Sequence, residues 1–205
     1  MRFFAEEPDE DDDDDGQETM KEMPRDMNLF NQKLLETRTI LLFGEINMKV
    51  AEQITRQLLI LAADSDEDIK LYVNSPGGHV ESGDTIFDMI RFVKPRVKII
   101  GTGWVASAGA LIYAAAPRED RYSLPNTRFL LHQPMGGVRG QAADVAIEAE
   151  EILKMRRRLN VIFSEQTGQP LEKVERDTDR NFWMSAQQAF DYGLVGHIVN
   201  GIDEV

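Results

Sequence analysis

The sequence predicts an α/β domain built on a largely parallel sheet. Strand-like and helical segments alternate from Thr39 onward, and the connections between them are short. The chain of 205 residues, with 42% hydrophobic and 29% charged content, suits one domain that buries its core without disulfides or metals.

Taken in order, Thr39 to Phe43 is β-like and stops at Gly44. Asn47 then caps an amphipathic helix with the apolar stripe Val50, Ile54, Leu58 and Leu61. Ile69 to Val73 reads as the next strand, closed by the turn Ser75-Pro-Gly-Gly78. A second helix runs to about Val93, where Lys94-Pro95 stops it. Val97 to Gly101 gives a third strand, and Ala106 to Ala116 a third helix of small and apolar residues. Arg128 to Leu131 is a fourth strand that ends at His132. A long helix over about Ala142 to Gln166 is closed by Gly168 at the C′ position. It is longer than the domain needs, and such a projecting helix packs on a neighbouring subunit. Ser185-Ala-Gln-Gln188 is a capping box that opens a last helix ending at Gly193, before an apolar C-terminal strand holding His197.

The net charge of −13 is unevenly placed. Residues 1–26 carry twelve acids against three bases, a net of −9, which leaves −4 for the rest. That stretch is expected to be a solvated, disordered tail. Nucleic acid is disfavoured as a partner, since phosphate contacts need a basic face. The longest apolar run, near Ile99 to Ala116, is broken by Gly, Ser and Thr, so no membrane span is expected. The acidic start is unlike a secretory signal, and the absence of cysteine fits a reducing, cytoplasmic location. It also rules out a thiolate nucleophile. With His79, His132 and His197 as the only histidines, no metal site is expected.

Two residues stand where chemistry gathers. Ser107, in Gly103-Trp-Val-Ala-Ser107-Ala-Gly-Ala, lies between a strand and a helix of small residues, where unpaired backbone N–H groups suit an oxyanion. Taken alone it also reads as a helix cap. Val105 occupies the first glycine position of the hydrolase elbow Gly-x-Ser-x-Gly. His132 ends a strand, and α/β folds collect their sites at the carboxyl ends of parallel strands. It also reads as a hydrogen-bonded strand terminus.

Five segments carry a resemblance over nearly everything from Asn28 to Val199. They are Ile69-Lys-Leu-Tyr-Val-Asn-Ser-Pro-Gly-Gly78, Val-Ala-Ser107-Ala-Gly-Ala, Leu-Pro-Asn-Thr-Arg-Phe-Leu-Leu-His132-Gln-Pro, Met-Gly-Gly-Val-Arg-Gly-Gln141-Ala-Ala-Asp and Val-Glu-Arg-Asp-Thr-Asp-Arg180-Asn. In the family's order, they resemble the proteolytic subunit of the ATP-dependent Clp protease (the ClpP family). The resemblance implies a crotonase-like βαβ superhelix over 27–205, with a protruding handle of one long helix and a strand at about 134–168. It implies Ser107 as nucleophile, His132 as general base, and the N–H groups of Gly78 and Ala108 as oxyanion hole. Gly77, Gly137 and Gln141 would bind extended peptide by strand pairing, and Arg180 would bridge two heptameric rings. No cofactor is implied, ATP being used by a partner AAA+ unfoldase such as ClpX or ClpA, which feeds unfolded proteins to the barrel.

The sequence departs from that family in three places. Its triad aspartate falls at Asn181, although Asp177 and Asp179 lie close by. An aspartate holds the imidazole tautomer and stabilises the imidazolium, and in trypsin its change to Asn costs about 10⁴ in kcat. The acidic tail, a candidate propeptide or pore gate, replaces an apolar-polar pore segment, and Lys70 replaces a common aromatic near the unfoldase pocket, where Tyr72 is kept. The functions expected are therefore a slow or partner-activated serine endopeptidase subunit, self-assembled in a double heptameric ring, or a weakly active paralogue completing mixed rings. An acyl-CoA enzyme of the crotonase type is a third reading.

Overall fold

Strand β2 (Ile69–Ser75) lies at the heart of the sheet, and its residue pattern shows why. Ile69, Leu71, Val73 and Ser75 are buried and alternate with Lys70, Tyr72 and Asn74, the period of two that a strand presents. The structure, a computed structural model, describes residues 25–134 and 139–205. β2 pairs in parallel with β1 (Thr39–Phe43) on one side and β3 (Val97–Ala106) on the other. Helices α2 (Met48–Asp64) and α3 (Val80–Phe92) make the two crossovers. The core lies between the sheet and these helices, with Ile54, Leu58, Ile86 and Ile90 packed on Ile40, Leu71 and Ile99.

β3 differs from the expectation and in doing so sets the architecture. It does not stop at Gly101 but runs to Ala106, and the helix after it, α4, spans only Ala108–Tyr113. The first half of β3 pairs in parallel with β4 (Arg121–Ser123), which pairs with β7 (His197–Ile198). Its second half pairs in parallel with β5 (Arg128–Leu131), and β5 pairs antiparallel with β6 (Phe182–Ser185). Between the halves the register against β2 slips, from Val73↔Gly101 to Ser75↔Val105. Gly103 allows this with φ +62°, in contact with the Asn74 side chain. β4, β6 and the helix α6 (Leu171–Asp177) were not foreseen, because they are short and carry no periodic apolar pattern.

The remaining helices follow their signals. Asn47 caps α2 by accepting from the Val50 N–H at 3.0 Å. The Ser185–Gln188 capping box opens α7 (Ala186–Tyr192), and Gly193 ends it in the left-handed region. Helix α5 (Ala142–Thr167) stops at Gly168, φ 72°. Its buried residues are Leu159, Asn160, Phe163 and Thr167, so the amino-terminal two thirds stands away from the core, with Val145, Ile147 and Leu153 exposed. Of the strand expected before it, Gly137 lies outside the described residues, and Arg139 to Gln141 form no strand. A further helix, α1 (Arg25–Glu36), precedes β1, and residues 1–24 of the acidic stretch lie outside the description. Among the described residues no helix is long and apolar enough to cross a membrane.

Two arginines finish helix ends from a distance. Arg121, 1% exposed, donates to the Gln166 carbonyl at the end of α5 at 2.7 Å. Burial lowers its pKa to about 10, so it stays charged at neutral pH. Arg38, 8% exposed, donates to the carbonyls of Leu61 in the last turn of α2 and of Ser65 and Glu67 beyond it, at 3.1, 3.1 and 2.9 Å. A cation there meets both orphan carbonyls and the negative end of the helix dipole. Arg38 has φ 52°, where a β-carbon is strained. Arg38→Ala is expected to lower unfolding free energy by about 3 kcal/mol in urea titration. Arg38→Gly is expected to cost about 1 kcal/mol less than alanine, because it releases that strain. Equal losses would show that the backbone conformation is not under strain.

Candidate active site

The site is assembled where β2, β3 and β5 end side by side. Ser107 follows the last residue of β3 and precedes α4, and its N–H donates to the Leu130 carbonyl of β5 at 2.9 Å. Its backbone has φ 55° and ψ −121°, outside the regions L-residues prefer. This is a sharp strand-to-helix turn, the geometry of a nucleophile elbow, reached without that motif's first glycine. The glycines that make it possible are Gly109, at the motif's second glycine position, and Gly83 on α3. A β-carbon on Gly109 would stand 3.2 Å from the Ser75 β-carbon, and one on Gly83 3.1 Å from that of Ala108. α4 is therefore seated directly on β2 and α3. With six residues it has a small dipole, so the local field at Ser107 comes from individual N–H groups.

The turn after β2 supplies such groups. The Ser75 hydroxyl accepts from the Gly77 N–H at 3.0 Å and holds the turn. Ile46 then bridges it: the Ile46 N–H donates to Gly77 O at 2.9 Å, and Ile46 O accepts from the His79 N–H at 2.8 Å. Because successive amides alternate in direction, the Gly78 N–H points away from Ile46. Neither it nor the Ala108 N–H has an acceptor among the described residues. Gly77 and Gly78 have φ +100° and +147°. A β-carbon on Gly77 would be 2.6 Å from the Ser107 β-carbon, and one on Gly78 would be 2.2 Å from Ile46 O.

His132 directly follows β5, and its Nδ1 lies 3.2 Å from Asn181 Oδ1, where the Nδ1–H tautomer donates to the amide oxygen. Asn181 immediately precedes β6 and is exposed. Leu131↔Phe182 is the last antiparallel pair, which sets the next residue of each strand side by side. Asp177 is engaged elsewhere, accepting from Lys173 and Tyr192, and Asp179 from Arg156. Neither carboxylate reaches His132, so Asn181 alone stands in the third position among the described residues.

Ser107 and His132 line one narrow apolar cavity with Val80, Ala108, Leu111, Leu131, Pro134, Leu159 and Phe163, of about 10 Å³. No hydrogen bond joins Ser107 Oγ to His132 in this state. Of the other expected residues, Gln141 is exposed at the start of α5 and Arg180 is 89% exposed along its side chain. Gly137 lies outside the described residues. No group of metal-binding side chains occurs among those described.

Comparison with known proteins agrees on one family. The model of the Clp protease family matches residues 21–201. The ATP-dependent Clp protease proteolytic subunit 3 of Rhizobium etli is 64% identical over 166 residues, 81% of this chain and 86% of the relative. Proteolytic subunit 2 of Gluconobacter oxydans is 56% identical over 202 residues, 98% of this chain and 91% of the relative. The solved structure of ClpP1 from Listeria monocytogenes superposes with a TM-score of 0.78 at 52% identity, covering 85% of this chain and 98% of that one. The fold is that of ClpP.

The approach of Gly77 to Ser107 has a measurable consequence. Gly77→Ala is expected to slow acylation of Ser107 by a fluorophosphonate about 10²-fold, because the new methyl displaces the serine from its turn. Labelling at the parental rate would show that this contact does not position the hydroxyl.

Proposed function

The chain belongs to the Clp protease family, and we propose that it is a serine endopeptidase subunit with Ser107 as nucleophile and His132 as general base. The observation that carries this is the hydrogen bond from His132 to Asn181 beside a serine held at positive φ, all at converging strand ends. His132 takes the Ser107 proton through Nε2 while Nδ1–H stays on Asn181. The attacked carbonyl develops negative charge on its oxygen, to which the N–H groups of Gly78 and Ala108 donate. The collapsing intermediate then takes the proton from His132 onto the leaving amine, and water repeats the cycle to free the acyl chain.

The apolar lining around Ser107 favours a hydrophobic side chain on the acyl side of the cut. Such a chain does not fit in about 10 Å³, so Leu159 and Phe163 at the base of α5 must give way on binding. The chain works in the cytoplasm on unfolded protein delivered by an AAA+ unfoldase, as part of a double ring in which the exposed apolar residues of α5 and Arg180 meet the opposite ring. It needs no cofactor of its own. Tyr72 packs on Ile100, Tyr122 and Val199 at the outer face of the sheet, where the unfoldase would dock.

A second reading, a weakly active subunit completing mixed rings, is favoured by the uncharged Asn181 and by the relatives' names, which number them as subunits 2 and 3. The acyl-CoA reading finds no support among the relatives. Peptide hydrolysis by homogeneous parental rings, with Ser107→Ala as control, separates the first two readings, and Asn181→Asp tests whether residue 181 is the cause. On homogeneous rings it is expected to raise kcat for small fluorogenic peptides at least about tenfold, with Ser107→Ala abolishing the gain. An unchanged rate would show that residue 181 does not limit turnover.

A further inference from the structure

We propose that Gln133 is a positioning residue that fixes the distance between His132 and Asn181, an inference that rests on the serine-peptidase reading above. The β5–β6 ladder ends at Leu131↔Phe182, so the paired residues His132 and Asn181 stand just past its last rung, where strands fray. Past that point the regular ladder stops, and the segment Thr178 to Asn181 leads back to the end of α6. Gln133 ties it down twice. Its N–H donates to Thr178 O at 2.8 Å, and its side-chain Nε2 donates to Asp179 O at 2.7 Å.

The other anchors of that segment lead elsewhere. Thr178 Oγ1 donates to Asn160 Oδ1 at 2.9 Å, and Arg156 donates to the Asp179 carboxylate at 3.0 Å; both reach α5. The Thr178 N–H donates to Val174 O within α6 at 2.9 Å. Among the described residues, the Gln133 bonds are the ones that join this segment to the chain of His132 beyond the ladder and the His132–Asn181 bond itself. Asn181 offers no ionic attraction to hold an imidazole, so geometry must be imposed by neighbours. Gln133 does not line the apolar cavity of Ser107; it lines a separate open cleft with His132, Asp179, Arg180 and Asn181.

The test is a double-mutant cycle on assembled rings, reading the rate of Ser107 acylation by a fluorophosphonate. Gln133→Met keeps the backbone rung and the side chain's length but removes its donor. It is expected to slow acylation about fivefold in the parental background, the worth of about one hydrogen bond. In an Asn181→Ala background, where nothing remains to be positioned, the same change is expected to alter the rate less than about twofold. Equal losses in both backgrounds, or no loss in the parent, would overturn the proposal. If Gln133→Met does not assemble, Gln133→Asn, too short to reach Asp179, is measured in the same cycle. Failure of both to assemble would assign Gln133 to folding and overturn it equally. Labelling that persists in Ser107→Ala would instead refute the peptidase reading, which is a separate result.

Discussion

The two-residue slip in the middle of β3 is the constraint on which the rest depends. Up to Gly101 the strand lies between β2 and β4; beyond Gly103 it lies between β2 and β5. One strand thereby serves two sets of partners, and the second set ends at Ser107, Ser75 and Leu131. The slip demands small residues. A β-carbon on Gly101 would meet Val105 at 3.1 Å and Phe129 at 3.3 Å, and one on Gly103 would meet Asn74 at 2.8 Å. The positive φ of Ser107 then reverses the chain into α4 instead of letting it continue as strand. A strained serine persists only where its surroundings over-determine it. Here that is done by the Leu130 carbonyl, the Gly77 backbone and a wholly buried helix.

In the proposed mechanism, charge stabilisation at the site is correspondingly a property of the backbone. Ile46 and the Ser75 hydroxyl hold the turn, so the remaining Gly78 amide faces away from Ile46. The oxygen of a reacting carbonyl is met by dipoles already fixed by folding, which need not reorganise as charge develops.

Much of this was legible in the sequence, and what was not has identifiable causes. β1, α2, β2 and α7 announce themselves by alternation, by the Asn47 cap and by the Ser185 box. Ser107 was marked by its small neighbours and His132 by its strand end. The length of β3 was not, since Gly101-Thr-Gly103 reads as a stop and is in fact the slip. β6 was hidden because four residues display no period, and without β6 there is no local reason to pair Asn181 with His132. That pairing came from resemblance, not pattern. The turn at Ser107 was hidden because, besides Gly109, the glycines that permit it, Gly77 and Gly83, lie in other segments.

An amide where the resemblance to the family implies a carboxylate keeps geometry at Asn181 while giving up two other things. The first is charge. With Oδ1 accepting from Nδ1–H, His132 presents a free Nε2 lone pair, the tautomer a general base needs. In the proposed mechanism the imidazolium that follows proton transfer has no counter-charge, so a loss is expected in the chemical step and not in substrate binding. The second is symmetry. Either oxygen of a carboxylate accepts, but an amide turned over presents N–H groups to Nδ1 and drives the proton to Nε2, where the ring cannot act as base. Among the described residues no partner holds the Asn181 Nδ2 in place. The correct orientation thus depends on the hydrogen bond to His132 and on the backbone that brings the two together. On the mechanism proposed above, the placement of residues 178–181 would therefore set how often His132 presents a free Nε2.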